Sequence, residues 1–210
     1  GLSSGLRDAS NLCWKLAYVI NNELNDEILN TYEVERMDEV KNSINSSIAL
    51  GKLIDSLSIA FKKNTPLEEA IPPEAREQAY GKKSLTKKSI SKGLFSSLVK
   101  DNNIGKLVPM TRFLSKVSNI SIDDLLDSKF AVISSKEPKD LLNEDTLGFF
   151  KRIDAVFINI SKYKILSPRF QDLVDIGDII VRPDKLIYGI TSNEVTLQNL
   201  AEELFDRLIK

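Results

Sequence analysis

Apolar residues recur at three- and four-residue spacing up to Phe61, whereas beyond Lys129 they fall into short unbroken runs, so the chain changes its type of secondary structure along its length. Leu6, Ala9, Cys13, Leu16, Ala17 and Ile20 share one face of a predicted first helix. Ser3 or Ser4 is placed to cap its start, and Asn21-Asn22 to end it. A second helix is predicted from about Asp26, with Leu29, Tyr32, Val40, Ile44 and Ile48 on its apolar face. A break near Gly51 is expected before Leu53, Ile54, Leu57, Ala60 and Phe61.

The regularity then fails. Pro66, Pro72 and Pro73 interrupt any element, and Lys82-Lys83 with Lys87-Lys88 adds a basic stretch. A connection of this length is uncommon inside a compact unit, so residues 63–104 are expected to form a linker wrapping the surface, its lysines solvated. Further on, Phe130-Ala131-Val132-Ile133 and Ala155-Val156-Phe157-Ile158-Asn159-Ile160 are rich in β-branched and aromatic residues, as buried strands are. Pro138 to Phe150 fits a helix between them. Asp178–Asp184 and Leu186–Ile190 read as two strands joined by a turn at Pro183-Asp184-Lys185. Thr191 with Glu194 makes a capping box for a last helix bearing Leu197, Leu200, Ala201, Leu204, Phe205 and Leu208. The order predicts a small α/β sandwich over residues 105–210, preceded by a helical segment over 1–62.

Composition narrows the chemistry. The 210 residues carry a net charge of -1 with mixed signs, which offers no electrostatic footprint for nucleic acid or an anionic membrane. No apolar run approaches the roughly 20 residues that span a bilayer, and with no basic-apolar leader the expected compartment is the cytoplasm. There is no His, which removes imidazole bases and most catalytic zinc designs. The single Cys, Cys13, excludes an intramolecular disulfide and a Cys-x-x-Cys pair, and is expected to be a buried thiol. The chemistry must then come from a cofactor or from groups elsewhere.

Gly1-Leu2-Ser3-Ser4-Gly5 reads as a glycine-flanked turn running into the first helix. A helix start presents unsatisfied N–H groups and a partial positive charge, and glycine lets a flat ring approach the backbone. On pattern alone this is an ordinary helix cap. The longer segment, however, with Arg7-Asp8-Ala9, Asn11-Leu12 and Trp14-Lys15-Leu16, resembles the last flavin-contacting motif of the FAD-dependent aromatic hydroxylases of the phenol hydroxylase and 3-(3-hydroxyphenyl)propionate hydroxylase type. Leu29-Asn30-Thr31-Tyr32-Glu33-Val34-Glu35-Arg36 is similar to that family's Leu-x-x-Tyr-x-x-Glu-Arg segment. Val181-Arg182-Pro183-Asp184 resembles the Val-Arg-Pro-Asp-Gly stretch of its thioredoxin-like C-terminal domain, with Lys185 in place of the Gly.

The resemblance implies an α/β chain: the helical C-terminal segment of an FAD-monooxygenase domain (1–62), a linker (63–104) and a thioredoxin-like domain without a CxxC motif (105–210). It implies FAD as cofactor, NAD(P)H as co-substrate, a phenolic substrate, and a missing N-terminal FAD-binding portion as partner. The amides around Leu2 and Ser3 would contact the pyrimidine edge of the flavin, Gly1 would allow close approach, and Gly5 a tight entry to the helix. Arg7 and Asp8 would hold local structure, Trp14 would pack, and Tyr32, Glu35 and Arg36 would form a structural cluster. No G-x-G-x-x-G is present to seat a pyrophosphate, so the chain alone is expected to be inactive. The rival reading is a non-catalytic interaction module that docks on a partner or forms a homodimer.

Overall fold

The computed structural model describes residues 2–21, 24–64, 66, 71, 90, 92–115 and 117–209. Gly1, the Pro72-Pro73 pair and the lysines at 82, 83, 87 and 88 lie outside the described residues. The chain divides into two units, Arg36–Lys88 and Leu2–Glu35 with Ser89–Lys210.

The second unit is built on a mixed four-stranded sheet. Its strands are β3 (Ala131–Ser134), β4 (Val156–Asn159), β6 (Ile179–Val181) and β7 (Ile187–Ile190), in the order β4-β3-β6-β7. β3 runs parallel to β4, whereas β3–β6 and β6–β7 are antiparallel. A parallel pair needs a crossover, supplied here by a 3-10 turn, Pro138–Leu141, and helix α4, Glu144–Arg152. Asn143 caps α4 by accepting from the Thr146 amide at 2.9 Å. The single helix expected over Pro138–Phe150 is thus two pieces, separated where Leu142 is extended. Lys185 closes the β6–β7 turn at φ 65°, the left-handed region that glycine ordinarily occupies.

Residues alternate across this sheet. Val132, Ile180 and Tyr188 join one core with Phe130, Phe150 and the last helix, α6 (Leu197–Ile209). Ala131, Ile133, Ile179, Val181 and Ile187 join the other. That second face is covered by α3 (Ile122–Leu126), α5 (Pro168–Ile176) and a three-stranded sheet of β2 (Asn119–Ser121), β1 (Arg112–Leu114) and β5 (Lys164–Ile165). Helix α6 is capped by Thr196 with Asn199, each accepting from the other's amide, and not by Thr191 with Glu194. Thr191 instead accepts from the Asp178 amide at 2.8 Å, tying the ends of the hairpin together.

Helix α1 (Leu2–Ile20) belongs to the same unit and packs on the first core. Its buried residues are Asn11, Trp14, Lys15 and Tyr18, at i, i+3, i+4 and i+7. Trp14 and Tyr18 meet Phe130 edge-on at 5.4 and 5.8 Å, contacts worth about 0.5–1.5 kcal/mol each beyond their area. This reverses the predicted facing: Leu6, Cys13, Leu16 and Ile20 are exposed, and Cys13 is not a core thiol. A 3-10 turn, Asp26–Leu29, capped by Asn25, leads into α2 (Asn30–Lys63). α2 runs through Gly51 without the expected break.

The stretch before β1 also departs from the expected surface linker where it is described. Leu94 and Phe95 are 2% and 6% exposed, and Ser96 donates its amide to the Tyr188 carbonyl. The segment lies against the edge strand β7, and Gly105 donates to Ile187. Buried backbone must be paired, and the sheet edge supplies the partners.

Candidate functional site

Leu2, Ser3 and Gly5 all lie in the opening turns of α1 and are exposed, Leu2 at 83%. The helix is already formed at Leu2, so the glycine-flanked turn expected through Gly5 is helical instead. A side chain at Gly5 would meet nothing within 4 Å. No acidic residue occupies the first turn. The leading amides of a helix have no intrahelical acceptor and sum to a partial positive charge. An open, acid-free turn of this kind fits the polar edge of a flat ring that gains negative charge on reduction, the group that the resemblance implies.

Farther along α1, on the side facing the sheet, lies a closed charge cluster. Arg182 leaves the end of β6 and is fully buried. Its Nη1 and Nη2 groups donate to the two oxygens of Glu35, each at 2.8 Å. Nη2 also donates to Asp184 Oδ2 at 2.6 Å, Nε to Oδ1 at 3.1 Å, and Nη1 to the Leu94 carbonyl at 3.0 Å. Its guanidinium stands over the rings of Phe95 and Trp14, 4.7 and 5.3 Å from their centres. Lys15 donates to Asn11 Oδ1 (2.9 Å), Thr31 Oγ1 (2.7 Å) and Glu35 Oε2 (3.0 Å). Asn11 Nδ2 donates to Glu35 at 2.6 Å and to Asp184 at 3.2 Å. The Leu94 amide donates to Glu35 Oε1 at 2.8 Å.

Two cations and two carboxylates therefore balance inside the fold. Burial alone would raise the Glu35 pKa, but the charge and paired hydrogen bonds of Arg182, with Lys15 and Asn11, outweigh it and hold the carboxyl down at about 2. For Lys15 burial wins over Glu35 and lowers the ammonium to about 8. Arg182 is held cationic: burial opposes its charge, but Asp184 and Glu35 more than compensate. The surroundings are shaped for this. Gly93 has φ 112°, and a Cβ there would sit 2.2 Å from Glu35 Cγ.

The cluster joins two stretches singled out separately in the sequence. Glu35 of the Tyr-x-x-Glu-Arg segment pairs with Arg182 of the Val-Arg-Pro-Asp segment, and Arg182 in turn holds Asp184. Arg36 turns elsewhere and pairs with Glu39. Asn11 and Lys15 were not foreseen as members. The available signal was a lysine and an asparagine on the same helical face as Trp14 and Tyr18. Among the described residues no group of His, Cys, Asp and Glu could hold a metal ion, and no helix is long and apolar enough to cross a membrane.

Comparison with known proteins gives a consistent result. Residues 1–47 match the family model described as FAD binding domain. A 3-(3-hydroxy-phenyl)propionate/3-hydroxycinnamic acid hydroxylase of Burkholderia cenocepacia is 26% identical over 212 positions, covering 99% of this chain and 37% of the relative. A hydroxylase of the same name from Mycolicibacterium vanbaalenii is 46% identical over 54 positions, 26% of this chain and 10% of its own length. Among solved structures, the anhydrotetracycline hydroxylase OxyS of Streptomyces rimosus superposes with a TM-score of 0.66 at 20% identity, covering 100% of this chain and 41% of that one. The flavin-dependent monooxygenase PieE, solved with FAD and substrate, superposes with a TM-score of 0.67 at 16% identity, covering 99% and 44%. The chain thus spans about two-fifths of the length of the relatives it matches.

Proposed function

We propose that this chain, a relative of the FAD-dependent aromatic hydroxylases, is the C-terminal part of a flavin-dependent monooxygenase that hydroxylates a phenolic ring with FAD, NAD(P)H and O2. The observation that carries the reading is the open aliphatic stripe of α1. Leu2, Leu6, Leu16 and Ile20 stay exposed while Asn11, Trp14, Lys15 and Tyr18 on the opposite side of the same helix are buried. Contiguous exposed apolar surface marks a binding face. Its occupant is the FAD-binding portion, which corresponds to the length of the relatives that this chain does not span.

In this reading the Leu2 and Ser3 amides hold the pyrimidine edge of the flavin, Gly1 gives close approach, and Gly5 keeps that side of the turn clear. The first-turn dipoles favour negative charge at the ring edge. The aliphatic stripe keeps water from the back of the turn. FAD, when bound, supplies the redox and oxygen-transfer chemistry. The division into a helical segment (1–62), a linker (63–104) whose last part docks on the β7 edge, and a thioredoxin-like domain (105–210) belongs to the same proposal. The β3-α4-β4 crossover followed by α5, the β6–β7 hairpin and α6 supports the thioredoxin-like description. With no cysteine after Cys13, that domain cannot exchange thiols and serves packing.

The test begins with the reading frame upstream of the Gly1 codon. An in-frame extension with a G-x-G-x-x-G to seat the pyrophosphate is expected. The extended protein should carry FAD and consume NAD(P)H faster when 3-(3-hydroxyphenyl)propionate or another phenol is added. The 210-residue chain alone should show no hydroxylation and retain little FAD through gel filtration. A start codon just before Gly1, or near-stoichiometric FAD on the short chain, would overturn the reading in favour of a stand-alone module.

A further inference from the structure

We propose that Arg182 is a positioning residue: through Glu35 it locks α1 onto the sheet, and so sets where the first turn bearing Leu2, Ser3 and Gly5 is presented. The inference rests on the flavin reading of that turn. It gives the C-terminal sheet a part in the cofactor site without any contact to the cofactor.

The geometry is directional. The two-pronged Arg182–Glu35 pair fixes the Glu35 carboxylate of α2 in angle as well as distance, and that carboxylate is what Asn11 and Lys15 of α1 bind. Asn11 bridges Glu35 and Asp184, and Lys15 binds Glu35 one turn later, so α1 is held at two successive turns of its middle. Trp14, between them in sequence, stacks on the same guanidinium. On its other side α1 has exposed Leu6, Leu16 and Ile20. Apolar burial is non-directional and would tolerate a small rotation of the helix; the hydrogen bonds of Asn11 and Lys15 to Glu35 and Asp184 would not. Asn11 lies nine residues from Leu2, about 14 Å along a helix, so a tilt of about 5° at the cluster moves the first turn by about 1 Å. A displacement of that size at a reacting group is costly.

The first measurement is hydrogen exchange on the 210-residue chain. Arg182→Gln should accelerate exchange of the α1 amides from Asn11 to Tyr18 by on the order of a hundredfold more than that of the β3 amides (Ala131–Ser134). Arg182→Lys, which keeps the charge and loses the fork, should fall between. Should Arg182→Gln not fold, Glu35→Gln leaves Arg182 paired with Asp184 and is read in the same way. Unchanged α1 exchange, or equal acceleration in α1 and β3, overturns the proposal. The second measurement uses the extended, FAD-loaded protein. Arg182→Gln should shift the visible absorption band of the bound flavin, and Arg182→Lys should restore part of the shift. A wild-type spectrum in Arg182→Gln overturns the link to the flavin turn. If the wild-type extended protein holds no FAD, the flavin reading falls, while the exchange result still decides whether Arg182 locks α1.

Discussion

Glu35 shows how one residue can govern a buried network. It accepts hydrogen bonds from Asn11, Lys15, the Leu94 amide and both prongs of Arg182. Replacing it by Gln leaves Lys15 and Arg182 facing Asp184 alone, an uncompensated buried cation. Removing one partner of a buried pair typically costs about 3–5 kcal/mol, and that loss is expected in urea unfolding of Glu35→Gln at pH 7. The pH dependence has a definite sign. The folded carboxyl is held at about 2, below its ordinary 4.5, so its contribution is present above 4.5 and is lost as the pH falls toward 2. The gap amounts to about 3 kcal/mol. Wild type should lose that much between pH 4.5 and 2, and Glu35→Gln should lack this component; parallel acid profiles would remove Glu35 from the account. Gly93→Ala attacks the same carboxylate from outside, since a Cβ at φ 112° meets Glu35 Cγ. It should cost about 2–4 kcal/mol. The cost should shrink by about 1 kcal/mol or more when Glu35→Ala is already present, a coupling measurable as a double-mutant cycle.

At the scale of elements, α1 separates what the sequence discloses from what it hides. Its existence and length follow from periodicity, but its facing does not. The aliphatic stripe of Leu6, Leu16 and Ile20 looks like a core face, yet the buried side is Asn11, Trp14, Lys15 and Tyr18. A hydropathy pattern ranks Lys15 and Asn11 as solvent-facing because it cannot see Glu35, far along the chain, neutralising one and binding the other. Strand β3 and the β6–β7 hairpin were legible because both faces are buried and the runs are unbroken, and β4, largely half-buried, because its run is unbroken too. Strands β1, β2 and β5 were not, being two or three residues long with half-buried faces. The candidate turn at Leu2, Ser3 and Gly5 was legible only through its resemblance to a family motif, and the cluster behind it only as two unconnected fragments. The inverted facing of α1 makes a sharp contrast. Trp14→Ala should destabilise the isolated chain by about 3–5 kcal/mol. Leu6→Ser and Leu16→Ser should fall within about 0.5 kcal/mol of wild type, because they alter surface already in water. Thermal unfolding of the three variants decides it, and a large loss in Leu6→Ser would mean that the stripe is packed within the chain after all.

Across the whole molecule the same stripe has a consequence for solution behaviour. Besides Leu2, Leu6, Leu16 and Ile20 on α1, the second helix exposes Ile44, Ile48, Ile54 and Phe61. A net charge of -1 supplies little long-range repulsion to keep copies apart. Exposed apolar surface on this scale is satisfied by a partner or by self-association, and without the FAD-binding portion only the second remains. The isolated chain should therefore associate reversibly, with a weight-average mass that rises with concentration in sedimentation. Leu6→Glu with Leu16→Glu should shift that association to higher concentration by about tenfold or more, since burying an unpaired carboxylate is strongly disfavoured. In the extended protein the same pair should barely alter self-association, because the face is then occupied, but should lower the FAD content. If the pair abolishes self-association in both forms and leaves FAD untouched, the stripe is a homodimer contact, and the sheet with its helices is an assembly module in its own right.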